Sequence, residues 1–386
     1  MSLYRSAKPH RLISSLSPAL WLAVALLIFV PTAAHARTRH YNCTPKFPLQ
    51  LGQPDGWLGA DAAYSIPLHD GRDVWIFGDT LYGKSRVINK NIPKMVRNSL
   101  GISTCKDGHW DLHYVIRKDA HGVPQSYFAP QHPHTWFWAL DGFTAHHDLW
   151  VTLLCVQNEK STKSNALGFG LCGTDLARIS HLGPDPQKWT IHYFPLVPNG
   201  VGAYPSATAL VHGKYAYIFA QWDKGTRPLL ATRIPLSGLS NPAKNLQYLS
   251  KSGKWKSGFD PANARPIMKQ GISELSIRYH PELKKWLAVM FAPQMFSSKI
   301  ILRTAPSFLG PWSAGQVIYT VPEMQPQNPG YSKNTFCYAG KEHPEFEHGD
   351  LVFTYACNSM DVGSLATDLH IYFPKVVRMP MPLAKH

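Results

Sequence analysis

The sequence predicts an all-β fold, a five-bladed β-propeller, on three observations. Short runs of aromatic and β-branched residues (DVWIFGDT, DLWVTLLCV, KYAYIFAQW, KWLAVMFAP, DLVFTYAC) recur between clusters of Gly, Pro, Asn and Asp. That is the signature of strands and turns, and helical periodicity is hard to find. Each run closes a larger unit in which a first strand leads into a polar turn and then into the run. The unit occurs five times, at steps of 80, 65, 68 and 64 residues, room enough for four strands and their loops. A β-sandwich does not account for five similar hairpins.

In order, the units are GADAAYSIPLHDGRDVWIFG, ALDGFTAHHDLWVTLL, YPSATALVHGKYAYIF, ISELSIRYHPELKKWLAVMF and TFCYAGKEHPEFEHGDLVFTYA. Asp61, Asp141, Ser206, Glu274 and Tyr338 open the equivalent first strands. The first strand of a propeller blade borders the central channel. These five side chains are therefore expected as a mostly polar ring at its mouth.

Residues 1–36 read as a secretory signal. Arg5, Lys8 and Arg11 form a basic head, Ala19 to Val30 an apolar stretch, and Ala34-His35-Ala36 a cleavage site. The apolar stretch is shorter than the roughly 20 residues that span a bilayer. Export to the periplasm or outside the cell is expected, with residues 37–386 as a single propeller domain, no stable membrane span after removal of the signal, and a monomeric state. Removing the signal lowers the formal charge from +15 to +12, because three basic and no acidic residues leave with it. A basic exported protein favours polyanionic neighbours; nucleic acid is not expected, since no Lys/Arg block or nucleic-acid motif appears. All six cysteines follow the signal, and an even number in an exported chain suggests bridges. Hairpins suggest Cys155 with Cys172 and Cys337 with Cys357, which leaves Cys43 to tie the N-terminal arm to Cys105, one of fifteen possible pairings.

Asp61 and Asp79 stand at the outer ends of the first hairpin. Reading Asp70-Gly71 as a two-residue turn sets His69 opposite Arg72 and Asp61 opposite Thr80, which makes the two aspartates diagonal neighbours. Diagonal Cβ atoms lie about 7 to 8 Å apart, within the range of glycosidase carboxyl pairs. One carboxyl would protonate a leaving oxygen while the other activates water. Trp57 precedes Asp61, and Trp136, Trp138 and Phe143 bracket Asp141, so sugar-stacking faces are expected near the mouth. Trp75, Trp150 and Trp286 fall within apolar second strands and are expected between blades.

With these residues in view, the chain resembles glycoside hydrolase family 183, bacterial five-bladed propellers that include endo-D-arabinanases. The resemblance rests on GWLGADAAYSIPL, DVWIFGDTLYG, NSLGI, ISELSIRYHPELKKWLAV, RTAPSFLGPWS and YAGKEHPE. It implies hydrolysis of α-D-arabinofuranosyl linkages within a polysaccharide. It also implies catalytic roles for Asp61 and Asp79; Asp61 is assigned as base and Asp79 as acid, with the reverse order left open. Glu274 resembles the third carboxylate of such sites; Asp141, Trp57, Trp138 and Arg278 complete the substrate-binding set.

The competing reading is a glycan-binding propeller that does not cut, or a structural envelope protein. A pure binder has no reason to hold two acids so close. No G-x-S-x-G elbow supports a serine hydrolase, and no cofactor or metal is expected, since no D-x-[DN]-x-[DN]-G loop appears. His132, His134, His146 and His147 are a weak metal pattern, read as solvent-facing or sugar-contacting.

Overall fold

The computed structural model describes residues 42–86, 94–130, 132–160 and 168–382. It divides the chain into Met1–Arg37 and Thr38–His386, and the expected signal lies outside the described residues. Among the described residues, five antiparallel sheets follow one another as blades, beside two smaller sheets of three and two strands. The first comprises Tyr64–Pro67, Arg72–Phe77, Ser99–Lys106 and His109–Val115, the second Thr135–Ala145, Asp148–Asn158, Phe169–Ser180 and Thr190–Pro198. The third begins with Ala203–His212 and Tyr215–Trp222, the fourth with Leu275–His280 and Lys285–Phe291. The fifth has three strands, Thr335–Glu342, Asp350–Ser359 and Lys375–Pro380. First strands of consecutive sheets lie side by side, and the fifth sheet meets the first through Thr354 Oγ1 on the Ala63 carbonyl at 3.1 Å. The all-β, five-bladed propeller is the observed fold.

The apolar runs are continuous because each second strand is buried on both faces. Side chains alternate along a strand, so Val74 and Ile76 pack with Phe143 and Trp150 of blade two. Trp75 and Phe77 point the other way, to Phe346 and Val352 of blade five. Trp150 and Trp286 are likewise buried. The three disulfides are Cys43–Cys105, Cys155–Cys172 and Cys337–Cys357, the expected pairing.

The first hairpin corrects the expected register. Ile66 pairs with Val74 and Pro67 with Asp73, one residue away from the two-residue-turn alignment. The Leu68 amide bonds to the Arg72 carbonyl at 2.9 Å, leaving a three-residue loop. His69 at φ 62° and Gly71 at φ 100° supply its left-handed positions. The one-residue change brings Asp61 level with Asp79 rather than with Thr80. Its amide faces the Asp79 carbonyl at 3.4 Å and its carbonyl accepts from the Gly78 amide at 3.0 Å.

Candidate active site at the mouth of the propeller

Asp61 stands three residues before the first strand of blade one and Asp79 two residues after the second. In an antiparallel hairpin these two ends share a face, so both side chains belong to the mouth where first strands begin. Irregular backbone aims the side chains there. Ala62 and Ala339 adopt φ of 59° and 58°, and the first strands of blades two, three and five shift register around Asp141, Ser206 and Tyr338. A bulge of this kind re-aims the side chains beside it.

Asp61 is half-buried. Its Oδ2 accepts the Tyr338 hydroxyl at 2.8 Å, and its Oδ1 lies over Gly78, where an added Cβ would come within 2.0 Å. Glycine in FGDT thus makes room for the partner carboxyl. Burial holds the Asp61 carboxyl well above the usual carboxylate range, Asp79 and Glu274 add to this by repulsion, and the Tyr338 bond opposes it. Asp79 is pushed up to about 6 by burial, against the Arg97 guanidinium that lowers it. Arg97 Nη1 sits 3.0 Å from Asp79 Oδ2, with the guanidinium 4.4 Å over the Trp136 ring. The pair is unequal. Asp61 favours its proton, whereas Asp79 has a cation beside it.

A second polar cluster lies beside this pair. Glu274 is half-buried and accepts the Tyr64 hydroxyl at 2.6 Å; burial raises its carboxyl too. Lys341 Nζ stands 4.0 Å over the Tyr64 ring, donates to the Leu140 carbonyl and lies 3.4 Å from Asp141. Burial pulls its ammonium down to about 8, against the attraction of Asp141.

Three members of the expected binding set are corrected. Trp57 is completely buried and stacked on Tyr114 at 4.3 Å, so it is core. Asp141 is also completely buried, its Oδ2 accepting Thr208 Oγ1 at 2.7 Å and the Ala209 amide at 2.9 Å. Lys341 and Arg278 hold its carboxyl below the usual range despite burial. Arg278 spends its guanidinium on Asp141, Thr208 and backbone carbonyls, which binds blades two, three and four together and leaves Arg278 an internal role. Trp138 is half-buried, edge-on to Phe169 at 4.9 Å, and Glu274 keeps its place near Asp61. Sequence reasoning missed Arg97, Tyr64 and Lys341. A loop carries Arg97 to the site and Lys341 comes from blade five, while Tyr64 opens the first strand of blade one three residues after Asp61, where nothing but its place in the strand marks it.

The histidines do not form one site. His146 and His147 turn the second-blade hairpin and His134 lies just before the opposite end of its first strand, eleven residues long, or about 35 Å. Among the described residues, His280, Glu342 and Glu347 bring ligand atoms within 4.8 Å of one another. Glu342 and Glu282 bond to the His280 ring, and the carboxylates push its pKa up to about 11 against burial. A protonated imidazole has no lone pair for a metal.

A five-bladed propeller with two unequal carboxyls at its mouth is the class that fold and geometry define. The chain belongs to the family described as Domain of unknown function (DUF5005), which it matches over residues 47–379. No curated protein matches its sequence. A Bacteroides ovatus protein provisionally described as a hydrolase has a similar structure, with a TM-score of 0.65 at 16% identity over 85% of this chain and 87% of that one. An exo-1,5-alpha-L-arabinanase from a bovine ruminal metagenomic library gives a TM-score of 0.44 at 13% identity, over 88% and 96%.

Proposed function

We propose that the protein is an exported glycoside hydrolase that cleaves α-D-arabinofuranosyl linkages within a polysaccharide, with Asp61 as general acid and Asp79 as general base. The observation that carries this reading is the unequal environment of two adjacent carboxyls at a solvent-reached mouth. Where neighbours push two acids apart, the one holding its proton is suited to protonate a leaving oxygen and the ionised one to activate a nucleophile. Asp61, enclosed and repelled by Asp79 and Glu274, is the former. Asp79, beside Arg97, is the latter. This reverses the order suggested by the sequence alone. Glu274 would bear on the Asp61 proton through its charge, and Trp138 would offer an apolar face to a sugar ring. The motifs shared with family 183 support the arabinofuranosyl linkage, and three disulfides accord with an oxidising compartment.

The test is incubation of the protein, Asp61→Asn and Asp79→Asn with D-arabinan and a panel of other furanosides, followed by chromatography of the products. Oligosaccharides released by the unsubstituted protein, and lost by at least about a hundredfold in both folded variants, are expected. Binding without release from any polymer would overturn the enzyme and leave a glycan-binding propeller.

A further inference from the structure

A row of aromatic rings leads away from Asp61 along blade five. Tyr338, which bonds Asp61, stacks with Phe336 at 5.6 Å and 22°; the two residues are two apart on one strand and so share a face. Phe336 in turn meets Phe296 at 5.1 Å. At this outer end lies a cavity of about 240 Å³ lined by Phe296, Met324, Tyr331, Lys333, Phe336 and Met360 among others. Phe296, Tyr331 and Met360 are 47%, 40% and 49% exposed, an unusual concentration of large apolar side chains facing water.

The topology puts this cavity on the same face as the two aspartates. Tyr331 to Asn334 precede the first strand of blade five as Asp61 precedes that of blade one, and Met360 follows a second strand as Asp79 does. Phe296 lies between the second and third strands of blade four, again at that face. On the other side of the pair, Arg97 leads to Trp136 and blade two. The aspartates thus sit within a track that crosses the mouth and does not end at them.

We propose that the Phe296–Phe336 cavity is a distal subsite for the same polysaccharide, holding a sugar unit beyond the ones at Asp61, so that the enzyme favours long chains over short ones. This rests on the glycosidase reading above. The occupant follows from continuity: the rings run unbroken from the cavity to the Asp61 partner. The faces of sugar rings present C–H groups, which sit well on the electron-rich face of an aromatic ring. The volume equals about eight waters at about 30 Å³ each, the scale of one sugar ring, and Lys333 supplies a donor for its hydroxyls.

The experiment compares the unsubstituted protein, Phe336→Ala and Phe296→Ala on D-arabinan and on α-linked D-arabinofuranosyl oligosaccharides of graded length. Expected is a loss of about tenfold in kcat/KM on the polymer and longest oligosaccharides, with the shortest cleavable one unchanged, and an unchanged melting temperature for at least the exposed Phe296 variant. Equal loss at every length, or no loss at any, overturns the subsite while leaving the hydrolase intact. Absence of cleavage by the unsubstituted protein on every substrate overturns the hydrolase and the subsite together.

Discussion

At the scale of single residues, Arg97 decides what Asp79 does. Burial alone would carry the Asp79 carboxyl above about 6, and the guanidinium at 3.0 Å holds it down. If Asp79 must be ionised and Asp61 protonated, activity falls as pH drops through about 6, where Asp79 takes up a proton. It falls again at higher pH, where Asp61 loses one. Arg97→Gln removes the cation. The acid limb of the kcat/KM profile should then move upward, by roughly 1 to 3 pH units for an opposite charge in contact, while the alkaline limb, set by Asp61, moves much less. An acid limb that stays in place would show that Asp79 is not the group titrating there.

At the scale of elements, the first strands are joined to one another by buried charge as well as by apolar packing. His280 ends the first strand of blade four and Glu342 that of blade five, and the two are bonded in the interior. The folded pKa of His280, about 11, exceeds its ordinary 6.5. The stabilisation is therefore complete below about 6.5 and lost as pH rises toward 11. His280→Ala leaves Glu342 and Glu347 buried without their cation and should cost about 3 to 5 kcal/mol in urea denaturation at neutral pH; a cost under about 1 kcal/mol would mean that the imidazolium is not what holds this cluster. The elements themselves were legible in the sequence because two-sided burial writes an uninterrupted apolar run such as DVWIF. The register was not. Asp70-Gly71 reads as a two-residue turn until His69 is seen to adopt φ 62°, a backbone choice that local composition does not announce. The two aspartates were legible by their place at the hairpin ends. Trp57 was misread because its burial depends on Tyr114, a distant strand, and Arg97 was invisible because a loop carries it to Asp79.

At the scale of the whole molecule, a ring of blades must close, and among the described residues the fifth blade has three strands. The seam with blade one is held instead by Ser65 on His343 at 2.6 Å, by Trp75 stacked on Phe346 at 5.5 Å, and by the N-terminal arm. Cys43 bonds the arm to Cys105 on blade one, while Arg378 on blade five donates to the Cys43 carbonyl at 2.9 Å and to Thr44 Oγ1 at 3.1 Å. The arm therefore straddles the seam. The candidate pair lies along the same seam, since Asp61 belongs to blade one and its partner Tyr338 to blade five. Breaking Cys43–Cys105, which spans 62 residues, with paired serines should cost about 2 to 4 kcal/mol by the loop-closure argument. Breaking Cys155–Cys172, which spans 17 residues within blade two, should cost somewhat less. Stability alone does not separate the two. Hydrogen exchange does: loss of the first bridge should raise exchange across Tyr64–Pro67 and Thr335–Glu342 on both sides of the seam, and loss of the second should raise it only within blade two. If both variants loosened the seam equally, closure would depend on general stability, and the arm would not be its clasp.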